Sequence, residues 1–121
     1  MEFNGSYPRP GLGPLTLSER LRFDEPTEET KDEYWPHATL PGVYVIYDYK
    51  HRLLYIGKAS LSSTLGIRIA KHHKDRTQWS KYGRLFVRTI PLPRTRAFEA
   101  PALEEFLLSR LDTISNSHGQ G

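Results

Sequence analysis

The clearest alternation of hydrophobic and polar positions begins just after Gly42. β-Branched and aromatic residues alternate over 43–49, and a second apolar run covers 53–56. Both patterns predict strands. The polar residues "YKHR" at 49–52 separate the two runs, and so short a connection predicts an antiparallel hairpin. The segment "GRLFVRTIP" at 83–91 predicts a third strand.

Two helices are predicted after this hairpin. The segment "GIRIAKHHKD" at 66–75 would place Ile67, Ala70 and the stem of Lys71 on one face, with basic groups on the other. Pro101 suits the first position of a second helix. Apolar residues at helical spacing follow it: Leu103, Phe106, Leu107 and Leu111. The order β-β-α-β-α predicts an α+β domain, within the broad α/β class, whose small three-stranded antiparallel sheet is flanked by helices.

Composition divides the chain into two regions. Residues 1–40 contain eight acidic and four basic side chains, and their prolines and glycines favour irregular structure. We interpret them as an acidic, mostly irregular N-terminal extension, with a short helix predicted over 16–23. Residues 41–121 are predicted to form the folded domain, and they hold thirteen basic and six acidic side chains, a net charge of +7.

The basic charge is concentrated within residues 50–96, which contain twelve Lys and Arg and one acidic residue, Asp75. A basic stretch interleaved with aromatic residues is typical of proteins that bind phosphate backbones, although a solvated basic face is equally compatible. The absence of cysteine excludes disulfides and thiolate metal sites. No apolar run approaches the roughly 18 residues of a membrane span, and the N-terminus has no signal-peptide pattern. We therefore expect a cytoplasmic protein that does not bind membranes.

Several residues of the hairpin are candidates for chemistry. Tyr44 and Tyr55 lie on neighbouring predicted strands, close to opposite each other, so their side chains can share a face. Gly57 lacks a side chain and would let a ligand approach the backbone closely. Lys58 follows directly and adds a positive charge. The alternative is that both tyrosines simply cover the sheet.

Polar residues of the two predicted helices add further candidates. Arg68 and His72 are four positions apart, so they project from one helix face and suit a phosphoryl site, or else form a basic solvent face. Glu104 lies within the most apolar helix and is a candidate ligand for Mg²⁺, although a surface glutamate paired with Arg110 or a lysine is the simpler reading. Asn116 follows that helix, where it could equally act as a C-terminal cap.

Taken in order, these residues resemble the motifs of the GIY-YIG nuclease superfamily. The matching parts are Gly42-Val43-Tyr44, Tyr55-Ile56-Gly57, Arg68 with His72, Leu103-Glu104, and Asn116. The resemblance covers about residues 41–118. The chain departs from the family in a longer loop between Gly57 and Arg68, and in "DTISN", which lacks the proline that often precedes the final asparagine.

The resemblance implies a metal-dependent DNA endonuclease that hydrolyses phosphodiester bonds. Glu104 would bind a single Mg²⁺ or Mn²⁺, Arg68 would donate to the phosphate, and Asn116 would orient the site. Tyr44 is the leading candidate to activate water, held by Tyr55, Lys58 or His72. Contacts to DNA are expected from Gly57, Lys58, Arg68, Lys71, His72, Arg94 and Arg96.

Other functions remain compatible with the sequence. An enzyme that cuts both strands would act as a homodimer, whereas a nicking or structure-directed enzyme would not need one. A nucleic-acid-binding module that keeps the fold without cutting is the main alternative. A small interaction protein whose basic strip binds an acidic partner is a third.

Overall fold

The computed structural model describes residues 17–25 and 32–111. These residues form an α+β fold with one four-stranded antiparallel sheet. Its strands are β1 (Leu21–Arg22), β2 (Gly42–Asp48), β3 (Leu53–Ala59) and β4 (Leu85–Pro91), in the spatial order β1-β4-β2-β3. The α-helices are α1 (Leu65–Lys74) and α2 (Ala100–Arg110), and short 3₁₀ helices cover Asp32–Tyr34, Arg76–Tyr82 and Arg94–Glu99.

The β2–β3 hairpin predicted from the sequence is confirmed, and Asp48 stabilises its turn. The Asp48 carboxylate accepts hydrogen bonds from the backbone N–H groups of Lys50 and Arg52 at 2.9 and 2.8 Å. The Arg52 side chain also donates to it, with Nε at 2.6 Å. Burial alone would raise the pKa of Asp48, but the hydrogen bonds from Arg52 and Lys50 outweigh burial and lower it.

A β-bulge in this hairpin determines which side chains reach the site. Ile46 pairs with Tyr55, but Tyr47 pairs with Leu53, so Leu54 is an extra residue in β3. A bulge interrupts the strict alternation of faces. As a result, Leu54 and Tyr55 both join the hydrophobic cluster on the α1 side of the sheet. Tyr44 belongs to the same cluster, which confirms that it shares a face with Tyr55.

Each face of the sheet carries its own hydrophobic core. On one face, β2, β3 and β4 pack against α2 through Val43, Val45, Ile56, Ile90, Leu103 and Leu107. On the other face, they pack against α1 through Tyr44, Ile46, Leu54, Tyr55, Leu65 and Ile69. Phe23, Trp35 and Trp79 complete this second core. The sheet is therefore covered on both sides by helices, as the sequence predicted.

Helix α1 buries only part of the predicted face: Ala70 is buried as expected, whereas Ile67 and Lys71 are exposed. Ile67, expected in the core, is 42% exposed, and the buried positions are Leu65, Gly66, Ile69, Ala70 and His73. The His73 ring packs 5.6 Å from the Phe23 ring and 5.1 Å from the Trp35 ring, measured between centroids. Phe23 and Trp35 come from the N-terminal segment, and they pack against α1. The face of α1 that contacts these rings is therefore the buried face.

The helix predicted over 16–23 is wrong within the described residues. Residues 17–20 form no helix, and Leu21–Arg22 is the strand β1, which pairs antiparallel with β4. The Ser18 N–H donates to the Thr89 carbonyl at 2.8 Å, and the Phe23 N–H donates to the Leu85 carbonyl at 2.7 Å. Free hydrogen-bonding groups along β4 thus outweigh the helical propensity of a short segment. The sheet accordingly has four strands where three were predicted.

Within residues 17–25 and 32–111, no helix is long and apolar enough to cross a membrane.

Candidate active site

Three aromatic side chains from β2, β3 and α1 meet on the α1 side of the sheet. The His72 ring lies 4.6 Å from the Tyr55 ring and 5.7 Å from the Tyr44 ring, measured between centroids. The two tyrosine rings are 6.0 Å apart. The structure therefore brings together three of the residues that the sequence motifs single out.

Steric contacts explain why each of the two tripeptide motifs contains a glycine. A Cβ atom on Gly57 would lie 2.3 Å from both Cζ and the hydroxyl oxygen of Tyr44. The missing side chain thus lets the Tyr44 ring lie across β3 towards the edge of the sheet. Gly42 has a φ of +150°, and a Cβ there would lie 2.2 Å from the Ile90 carbonyl oxygen. Only glycine fits this approach of β2 to β4.

Arg68 lies one helical turn before His72, and both side chains are half-buried. The Arg68 guanidinium acts electrostatically on Tyr44, Tyr55 and His72, which places its charge among the three rings. Among the buried polar atoms of residues 17–25 and 32–111 that make no hydrogen bond of normal geometry, four belong to these side chains: Arg68 Nε, His72 Nε2 and the hydroxyl oxygens of Tyr44 and Tyr55. Such a concentration of unpaired polar atoms is unusual in a stable core and is typical of a functional site.

Burial determines the protonation states of these groups. Burial raises the pKa of Tyr44 far above its ordinary value, with a further increase from Tyr55 that Arg68 only partly opposes. Burial also raises the pKa of Tyr55. Burial and the neighbouring Arg68 lower the pKa of His72 to about 4. At neutral pH the site therefore holds two neutral phenols and a neutral imidazole.

Glu104 of α2 approaches the same edge of the sheet from the opposite face. Only 5% of the surface of Glu104 is accessible, whereas the neighbouring Glu105 is exposed. Glu104 therefore lies on the buried side of α2. Oε1 of Glu104 lies 3.4 Å from Nζ of Lys58, on the edge strand β3. Glu104 also raises the pKa of Tyr55 electrostatically, although less than burial does. The Glu104 carboxylate therefore lies near enough to Tyr55 to act on it electrostatically, although it reaches β3 from the other face of the sheet.

Glu104 offers one carboxylate group as a candidate ligand for a divalent ion. Glu104 Oε2 is buried and accepts no hydrogen bond from a described residue. No cluster of three or more His, Asp or Glu side chains exists in the described part of the chain. Binding of Mg²⁺ or Mn²⁺ by Glu104 stays a prediction from the sequence motifs.

A groove of about 250 Å³ opens beside these residues. Lys58 and Arg68 line it, together with Ser60 and Ser63 of the β3–α1 loop. The far wall comes from the 3₁₀ helix Arg94–Glu99 and the start of α2, and includes Phe98 and Pro101. Two cations and exposed hydroxyls on one wall provide donors for a phosphate.

The other predicted DNA contacts lie in different surroundings. Lys71 is exposed on α1. Arg94 donates from Nη2 to the Thr39 carbonyl at 3.3 Å. Arg96 lies 4.0 Å from a Glu99 carboxylate oxygen, between Nε and Oε2. The space above Gly57 is filled by the Tyr44 ring. Contact of these four residues with DNA stays a prediction.

Two further residues complete the comparison with the sequence. Asn116 lies outside the described residues, so its role stays a prediction. Phe98 was not singled out, yet it is 68% exposed in the wall of the groove. Its sequence context, "RTRAFEA", offers only a hydrophobic residue beside two arginines, which gives no sign of its orientation.

Comparison with known proteins gives no match to a protein-family model, a curated protein or a solved structure. The function must therefore be inferred from the site and from the sequence motifs.

Proposed function

We propose that the chain is a metal-dependent DNA endonuclease of the GIY-YIG type. One observation supports this proposal: two buried phenols and a half-buried Arg–His pair lie together on one face of the sheet, and Arg68 also lines a groove with Lys58, which pairs with the buried Glu104 carboxylate. Two of these residues, Tyr44 and Glu104, are 60 positions apart in the sequence. Packing of a core gives no reason to bring so many unpaired polar atoms together.

The groove suits an anionic substrate. Arg68 can donate to non-bridging oxygens of a phosphate, and Lys58 adds a second positive charge on the same wall. A bound Mg²⁺ or Mn²⁺ at Glu104 supplies neutralisation of charge at the phosphate and at the leaving oxygen. Water that attacks the phosphorus must then transfer its proton to a group of the protein.

His72 and Tyr44 divide the proton-transfer role between them. Burial raises the pKa of Tyr44, so at neutral pH its phenol stays protonated and cannot accept a proton. The pKa of His72 is about 4, so its imidazole is unprotonated and available at neutral pH, but it is a weak base. We therefore assign Tyr44 to hold the attacking water and His72 to accept the proton, with Tyr55 fixing the imidazole ring.

The alternative is a nucleic-acid-binding module that does not cut. The Lys58–Glu104 ion pair favours it, because in such a module Lys58 would simply neutralise a buried carboxylate. Both functions predict DNA binding that weakens with salt. They differ in whether DNA is hydrolysed when a divalent ion is present.

A cleavage assay with a matched pair of variants tests the proposal. Supercoiled plasmid and labelled duplex, nicked and branched DNA are incubated with Mg²⁺, Mn²⁺ or EDTA. We expect cleavage by the wild-type chain with either metal and none with EDTA. Glu104→Gln should abolish cleavage, whereas Glu105→Gln, an exposed neighbour on the same helix, should cleave normally. Plasmid nicking by pure Glu104→Gln at the wild-type rate would rule out the assignment.

A further inference from the structure

Phe98 is the most exposed of the large hydrophobic side chains in the described part of the chain, with 68% of its surface accessible. It projects from the 3₁₀ helix Arg94–Glu99, which is kinked at Arg96, where φ is −118°. The Arg96 guanidinium lies 5.8 Å from the centre of its ring. A single exposed aromatic ring is common on protein surfaces and needs no explanation. This ring, however, lines the groove that also contains Lys58 and Arg68.

The groove combines the two surfaces that a nucleotide needs. Lys58, Arg68 and the serines of the β3–α1 loop form a polar wall for a phosphate. The opposite wall is apolar and consists of Ala97, Phe98, Ala100 and Pro101. Its volume of about 250 Å³ is below the roughly 300–1,000 Å³ of typical small-molecule pockets. A groove of this size suits one base with its phosphate rather than a larger ligand.

We propose that Phe98 stacks on an unpaired base next to the phosphate that is cleaved. This inference rests on the proposed nuclease function. In a continuous duplex both faces of each base are stacked on neighbouring bases. A protein ring can take that place only where a neighbour is missing, as at a flap, a bulge or a strand end. Stacking on an aromatic side chain favours any base, because every base has a π face.

The substrate class therefore follows from the position of Phe98. The enzyme should bind branched or bulged DNA better than a continuous duplex of the same sequence, without strong preference for one base. Arg96, which is held by Phe98 and by the Glu99 carboxylate, would contact the strand that leaves the groove.

Fluorescence of 2-aminopurine tests the stacking directly. The probe is placed at the unpaired base of a branched DNA, and binding is measured in EDTA so that no strand is cut. We expect the wild-type chain and Phe98→Trp to quench the probe and to prefer branched over paired DNA. Phe98→Leu keeps apolar bulk but has no π face, so it should lose the quenching and bind branched DNA at least about fivefold more weakly. Its affinity for paired duplex should not change.

Tyr49→Leu is the matched control, because Tyr49 is also an exposed aromatic residue but lies at the opposite end of the β2–β3 hairpin. It should behave as the wild-type chain. Quenching and preference retained in Phe98→Leu would overturn the stacking proposal, even if the wild-type chain cuts DNA. Phe98-dependent quenching without any metal-dependent cleavage would uphold the stacking and overturn the nuclease function. A wild-type chain that binds no DNA would overturn both.

Discussion

The ring of Tyr44 occupies the space that a side chain on residue 57 would fill. A Cβ on Gly57 would come within 2.3 Å of the Tyr44 hydroxyl oxygen and Cζ, and within 2.7 Å of Cε1. Tyr44 is fully buried, so its ring has no free space into which it could turn. The glycine that ends the second tripeptide motif and the tyrosine that ends the first therefore form one steric unit.

Gly57→Ala should consequently disturb the site without a change to any catalytic group. The new methyl group must displace the Tyr44 ring, and overpacking of this kind costs about 1–3 kcal/mol in the free energy of unfolding. Cleavage should fall sharply because Tyr44 leaves its position. Urea denaturation and a cleavage assay on the same preparation measure both effects.

A variant that combines Gly57→Ala with Tyr44→Leu separates the steric effect of the new methyl group from the loss of the Tyr44 hydroxyl. Tyr44→Leu lacks the ring atoms that meet the new methyl group, so Gly57→Ala should cost less stability in a Tyr44→Leu background than in the wild-type chain. Cleavage should stay low in the double variant. Equal costs in the two backgrounds would contradict the steric unit.

Removal of the Tyr44 hydroxyl should affect activity far more than stability. The buried hydroxyl interacts with Arg68 and Tyr55 but makes no hydrogen bond of normal geometry to a described residue, so Tyr44→Phe should change the free energy of unfolding by less than about 1 kcal/mol. Cleavage should fall on the order of 100-fold or more, as expected for a group that helps proton transfer. Thermal denaturation and single-turnover cleavage measure the two effects.

Tyr47→Phe provides the contrast. Tyr47 is buried on the other face of the sheet, where its hydroxyl interacts with Arg20. This variant should lose stability and keep its cleavage rate. The assignment of Tyr44 fails if Tyr44→Phe cuts DNA as fast as Tyr47→Phe.

Local patterns predicted the central part of the fold because each strand and helix carries its own signal. The alternation after Gly42 and the apolar spacing after Pro101 were sufficient to place β2 and α2. β1 was missed because a strand of two residues exists only through its pairing with β4. Ile67 was misplaced because aromatic residues from a distant segment, Phe23 and Trp35, decide which face of α1 is buried.

The sequence motifs name candidate site residues, but they do not reveal how these residues are arranged. The motif order names Tyr44, Arg68 and Glu104, but it does not reveal that a bulge at Leu54 aligns Tyr55 with them. The contact of Lys58 with Glu104 joins positions 46 residues apart on different elements. Such contacts depend on how helices pack on a sheet, which no short sequence window contains.

The Lys58–Glu104 ion pair predicts competition between Lys58 and a divalent ion. Lys58 Nζ lies 3.4 Å from the carboxylate that we assign to the metal. Lys58→Met should therefore bind Mn²⁺ more tightly, by up to about fivefold, the range expected for a partly exposed ion pair. Its cleavage rate at saturating metal should nevertheless fall, because Lys58 also lines the phosphate wall of the groove. Electron paramagnetic resonance of free Mn²⁺ measures the affinity.

Lys71→Met is the matched control, because Lys71 is exposed on α1, whereas Glu104 is buried on α2. It should bind Mn²⁺ with wild-type affinity. Weaker Mn²⁺ binding by Lys58→Met would show that Lys58 supports the metal site and would refute the competition.

His72 should make stability depend on pH in a defined window. Its pKa is about 4 in the folded chain against an ordinary value of 6.5, so between these values the unfolded chain binds a proton that the folded chain does not. The stabilising contribution is fully present above 6.5 and is lost as pH falls towards 4. Urea midpoints across this window should therefore fall less in His72→Gln than in the wild-type chain. His51→Asn, which replaces an exposed turn histidine with φ +63°, should retain the wild-type pH dependence, and an equally steep fall in His72→Gln would contradict the buried neutral imidazole.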